Sequence, residues 1–128
     1  MIERIFTPGA PAPRGPYSPA VRAGDFIFVS GQVPVDPVSG QAVSGDVKAE
    51  TRRVLENIRL NLEGCDAGMA DVVKCQVFLA DIKDFAAMNE VYTEFFGDSK
   101  PARTTVQAGA LPLSGSKVEI DAVAYKPK

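Results

Sequence analysis

The chain has 128 residues, 45% of them apolar and 23% charged, with 14 basic against 16 acidic side chains, a net charge of −2 and no histidine. That length and balance predict a single globular domain over residues 1–128 and exclude a disordered or fibrous chain. With no histidine there is no Ser/His or Cys/His triad, little zinc chemistry and no imidazole base, and charges spread without a basic run argue against nucleic acid as a partner.

No apolar run approaches the roughly 20 residues of a membrane span, and the first residues, Met1-Ile2-Glu3-Arg4, lack a signal-type apolar segment. The expected setting is cytoplasmic, with no membrane partner. The cysteines, Cys65 and Cys75, have no metal-type spacing, so no metal site is predicted.

In chain order, Ile2 to Phe6 reads as a short strand. Thr7 to Pro19 holds five of the ten prolines, which can neither donate to a ladder nor continue a helix, so this is an extended arm. Within it Gly15-Pro16-Tyr17-Ser18 sets a phenol beside a permissive Gly and a rigid Pro, as a packing residue or at a fixed point for a ligand. Ala20 to Ala23 and Phe26 to Gln32 form a hairpin about Gly24-Asp25. The second strand is apolar on both faces until it ends in Ser30-Gly31-Gln32, small groups that a ligand backbone could approach.

Pro34 to Gly45 is a loop. Asp46 caps a helix whose Val47, Thr51, Val54, Leu55, Ile58 and Leu62 recur at helical spacing and which Gly64 stops. Its other face is solvated, with pairs such as Arg52 and Glu56. Val72 to Leu79 is a strand in which Cys75 alternates with Val73, Val77 and Leu79 and so reads as core; Cys65, at the helix end, is ambiguous. From Asp81 or Asp84 a second helix carries the stripe Phe85, Met88, Tyr92 and Phe95, with Phe96 beside it, and stops at Gly97. Asn89 shares the side of Phe85, where an amide must find partners or face a cavity.

Two β-patterned segments close the chain, Pro101 to Gln107 and Lys117 to Ala124. Period two puts Arg103, Thr105 and Gln107 on one side of the first. In the second, Val118, Ile120, Ala122 and Ala124 are apolar and leave Glu119 and Asp121 side by side on the other face. A guanidinium matches a carboxylate bidentately, and a carboxylate can orient water, so Arg103 and Glu119 are the candidate chemistry. Such charges are also common on ordinary solvated surfaces.

The order β, ββ, α, β, α, β, β predicts an α+β domain of two layers, a six-stranded mixed sheet with two helices on one face. Phe26, Phe28, Val72 and Phe78 are expected on the open face, which self-association would cover.

The segments G-P-Y-S at 15–18, V-S-G-Q at 29–32, D-F-x-x-M-N at 84–89, and P-A-R-T-T-V followed by V-E-I resemble the RidA/YjgF family of reactive-intermediate imine deaminases over essentially the whole chain. The resemblance implies a chorismate-mutase-like fold and a homotrimer with active sites between subunits. It further implies cofactor-free hydrolysis of 2-imino acids and their 2-aminoacrylate tautomers to 2-keto acids and ammonia. It puts the carboxylate-binding role on Arg103, the acid/base role on Glu119, and pocket roles on Tyr17, Ser30, Gly31, Phe85 and Asn89. Where many members carry a cysteine, two residues after the Arg, this chain has Thr105, of which only the backbone need be used. The alternatives are a deaminase of another substrate such as 2-aminomuconate, or a non-catalytic trimer binding small carboxylates or partner proteins. A nuclease fits the acidic balance poorly.

Overall fold

The computed structural model describes residues 1–128. Its strands are β1 (Ile2–Ile5), β2 (Ala20–Ala23), β3 (Phe26–Gln32), β4 (Val72–Leu79), β5 (Ala102–Gln107) and β6 (Val118–Tyr125), and its helices are α1 (Val47–Glu63) and α2 (Phe85–Phe96). The strands make one sheet in the order β1-β2-β3-β6-β4-β5. Only β4 and β5 run parallel, as strands joined by a crossover helix, α2, must be able to do. The mixed two-layer architecture expected from the sequence is therefore present.

Local chemistry sets these elements. Gly24, at φ +62°, takes the first position of the two-residue turn between β2 and β3, a conformation glycine adopts without steric cost. Asp46 accepts a hydrogen bond from Ala49 N at 2.9 Å and so caps α1. Asp81 accepts from Lys83 N to cap a short 3₁₀ turn, Ile82–Asp84, and α2 follows directly.

Both helices cover one face of the sheet. Val54, Leu55, Ile58 and Leu62 of α1 and Met88, Val91, Tyr92 and Phe96 of α2 are buried against Ile27, Cys75, Val77, Leu79 and Ile120 in one cluster. Each aliphatic chain so removed from water contributes roughly 1.5–3 kcal/mol before entropy is charged against it. Buried polar groups are tied into the same core. Asn57 Nδ2 donates to Val33 O and Val35 O at 3.2 and 2.9 Å, and Glu50 accepts from Lys117 N at 2.7 Å, fastening the loop before β6 to α1.

Three expectations are corrected. Val72 is buried and Val73 exposed, the reverse of the predicted alternation, because the ladder slips between Val72 and Lys74 and leaves Val73 as an extra, bulged residue. β3 has its expected bounds, Phe26–Gln32, but is irregular near its end. Val29 pairs with Ala122 and Gln32 with Ile120, so Ser30 and Gly31 together oppose Asp121 as a bulge, and Gln32 is turned into the core. Arg52 bonds Glu94 of α2 at 2.9 Å instead of Glu56, which pairs with Arg59. Phe85, at the start of the stripe on α2, is 40% exposed and Phe96 is buried in its place.

The other face of the sheet carries Phe26, Phe28, Val106 and Tyr125, each more than 40% exposed. Nothing in the chain covers it.

Candidate active site

The bulge in β3 builds one half of the site. Ser30 is held by its N–H to Pro19 O at 3.0 Å and by its hydroxyl to Ser18 O at 2.7 Å, which pins the proline arm across the end of the hairpin. Tyr17 follows the turn made by its own N–H on Gly15 O, and its phenol oxygen accepts from Arg14 N at 3.1 Å. These groups and Glu119 of β6 line an open cleft of about 390 Å³, whose other walls are Arg14, Val33, Pro112 and Leu113.

Glu119 lies flat over Gly31. A Cβ at that position would overlap the Glu119 carboxylate and come within 3.0 Å of its Cδ, so glycine here lets the carboxylate lie this close, and a larger residue would displace it. Burial, and after it the charge of Asp121, pushes the Glu119 carboxyl above its usual range, and its Oε1 has no hydrogen-bond partner. Asp121 is also raised by burial, opposed by the Gln76 N–H it accepts at 2.9 Å and by Lys74. A half-buried carboxyl with an unpartnered oxygen and a raised pKa is suited to taking and returning a proton.

Arg103 is elsewhere. It lies in register with Cys75, a core residue, so its side chain rises on the helix side of the sheet, whereas Glu119 lies in register with Phe78 on the opposite face. The guanidinium donates to Asn89 Oδ1 at 2.7 Å and sits 4.7 Å from the Tyr92 ring centroid and 5.3 Å from that of Phe85. Phe85, Asn89 and Tyr92 are spaced four and three residues apart, one stripe of α2, and together fix the cation in place. Only one of its nitrogens is bonded within the chain, so the fork stays open to an anion. Thr105 shares this side, half-buried, with its hydroxyl unpartnered. Its strand, β5, is at the sheet edge, with backbone groups free on the outer side.

The sequence candidates thus divide into two groups. Tyr17, Ser30, Gly31 and Glu119 meet in the cavity; Arg103, Phe85, Asn89 and Thr105 gather at the α2 side of β5. Two residues were missed. Tyr92 was read as core stripe, although its position seven after Phe85 puts it under the same guanidinium. Arg14 drew no notice within the proline arm, and only the fold brings it to the cavity.

A family model described as endoribonuclease L-PSP matches residues 7–126. The chain belongs to the RidA/YjgF family. Its similarity to members runs end to end. It is 53% identical over 126 residues to a RutC family protein of Pyrococcus horikoshii, covering 98% of this chain and 99% of that one. To the 2-iminobutanoate/2-iminopropanoate deaminase of Capra hircus it is 48% identical over 129 residues, covering 98% and 92%. Among solved RidA/YjgF structures, that of TdcF from E. coli with bound serine superposes with a TM-score of 0.90 at 38% identity, covering 97% of this chain and 98% of that one. No helix is long and apolar enough to cross a membrane.

Proposed function

We propose that the protein hydrolyses small 2-imino acids, and the 2-aminoacrylate enamines in equilibrium with them, to 2-keto acids and ammonia, in sites completed between protomers of a homotrimer. The single observation that carries this reading is the pairing of an open, oriented Arg103 with a half-buried Glu119 that has a free oxygen, on opposite faces of one sheet. The apolar face that nothing covers supplies a reason for protomers to associate. The kinship to a mammalian imine deaminase and the amino acid bound by TdcF support the substrate class.

Arg103 of one protomer holds the substrate carboxylate bidentately and so fixes C2. Glu119 of another accepts a proton from water as the water oxygen bonds to C2 and the C=N electron pair moves onto nitrogen. Glu119 then returns the proton to the amine of the tetrahedral adduct, the C–N bond breaks as the hydroxyl oxygen forms the carbonyl, and the hydroxyl proton is taken up by the departing ammonia, which leaves as ammonium. An iminium carbon is already electrophilic, so this modest acid/base assistance suffices without histidine.

The test is keto-acid release from imines generated in place by an amino-acid oxidase, together with sedimentation of the active species. Acceleration by a trimer is expected. An active monomer would end the shared-site reading, and no acceleration with any small imine would end the deaminase reading in favour of a trimer that binds small carboxylates. The ribonuclease in the family model's name finds little support in a chain of net charge −2 without a basic track.

Gly31→Ala separates position from presence. Gly31 has an ordinary backbone angle and the obstructing atoms end a flexible side chain, so the variant should fold with a melting temperature close to native. The displaced carboxylate should lower kcat/KM by about 10- to 100-fold, as misplacement by an ångström does elsewhere. Unchanged turnover would show that Glu119 need not lie where it does.

A further inference from the structure

We propose that Arg14 selects substrates that carry a second carboxylate at the end of the side chain, so that the preferred class is 2-imino dicarboxylic acids; this rests on the deaminase reading above. The cavity beside Glu119 has two charged walls, and Arg14 is the other one. Its placement is constrained at three points. Pro13 and Gly15-Pro16 flank it in a segment of limited backbone freedom. Its N–H donates to the Tyr17 hydroxyl at 3.1 Å, and its guanidinium Nη2 donates to Gly40 O on the neighbouring loop.

That loop bond occupies one nitrogen and neutralises nothing. Arg14 has no carboxylate partner among the ion pairs of the chain. An unpaired guanidinium therefore borders the same cleft as Glu119, where its remaining donors can take up a second carboxylate. The intervening wall is Val33, Pro112 and Leu113, suited to a methylene stem.

The experiment compares kcat/KM for the imine of glutamate with that for the imine of 2-aminobutanoate, each generated by an oxidase, across native protein, Arg14→Ala, Arg14→Lys and Arg14→Glu. In the native protein the acidic imine is preferred. In Arg14→Ala the acidic-to-neutral ratio falls about two- to fivefold, mostly through KM, as expected for a largely solvated charge pair. Arg14→Lys retains part of the ratio and Arg14→Glu depresses it further. A ratio that does not respond to any of the three substitutions overturns the proposal while leaving the deaminase intact. If the native protein accelerates neither imine, the deaminase reading fails instead, and calorimetric binding of 2-oxoglutarate and 2-oxobutanoate decides the role of Arg14. Tighter binding of the dicarboxylate, lost in Arg14→Ala, upholds it, and equal binding overturns it. Arg14 is exposed and outside the core, so the variants report on the site and not on folding.

Discussion

Replacing Arg103 by alanine is expected to lower kcat/KM for a small 2-imino acid by about 100- to 10,000-fold, from two charge-assisted hydrogen bonds at roughly 1.5–3 kcal/mol each. Lysine should recover only a small part, because an ammonium anchors charge without fixing the plane of the carboxylate. Asn89 and Tyr92 hold the guanidinium by a bond at 2.7 Å and a ring contact at 4.7 Å, so their loss should act through Arg103 and more weakly. The placement of Arg103 and Glu119 on opposite sheet faces makes the variant informative in a second way. Arg103→Ala and Glu119→Gln protomers, each inactive alone, should regain activity when refolded together, since about a quarter of randomly assembled interfaces would pair an intact Arg with an intact Glu. No recovery on mixing would mean that each site is built within one protomer.

Glu119→Gln should cost about 100- to 10,000-fold in kcat, the range for removing a positioned acid/base. Its pH signature is specific. Burial and Asp121 raise the folded-state pKa above the unfolded one, so the carboxylate that accepts the proton from water is lost at a higher pH than for an ordinary glutamate. The acid limb of kcat/KM should lie above the usual carboxylate range and vanish in the variant; a profile that is flat between about pH 5 and 9 would argue against a titrating Glu119. Stability runs the other way. A raised folded pKa contributes stability below the unfolded value and loses it as pH climbs through the folded one. Ionised Glu119 therefore weighs against the fold at neutral pH, and Glu119→Gln should melt higher than native at pH 7 while matching it at low pH.

Elements with strong local signals could be read directly from the residues. Asp46 does cap α1, Gly24-Asp25 does turn the hairpin, and the apolar stripe of α1 is buried as its spacing required. Reading failed where a strand carries one residue too many. At Val73 and at Ser30-Gly31 the alternation of side chains breaks, so one period-two pattern cannot fit both sides of the break: Cys75, Val77 and Leu79 are core as expected, but Val72 and Val73 exchange faces. The candidate residues were legible as types, through the match of short motifs to a family. Their division between two faces was not, because it depends on which strand lies beside which, and Arg103 and Glu119 are separated by β4, a strand far from both in the chain. Arg14 and Tyr92 illustrate the same limit. Each becomes notable only through a neighbour that the fold supplies, the cavity in one case and a guanidinium in the other.

The two cysteines are buried, and burial raises both thiols, that of Cys75 to about 11. Only about one Cys75 thiol in ten thousand is then a thiolate at pH 7, and the thiolate is the form that attacks peroxides and electrophiles. Thr105 stands two residues after Arg103, where a cysteine would have placed a third thiol beside that guanidinium. An oxidase that makes imines from amino acids also makes hydrogen peroxide, so the substrate and the oxidant arrive together. In this chain the chemistry is assigned to carboxylate, guanidinium, hydroxyl and backbone groups, none of which peroxide consumes. On the deaminase reading proposed above, the folded protein is therefore suited to conditions in which an imine is generated together with peroxide.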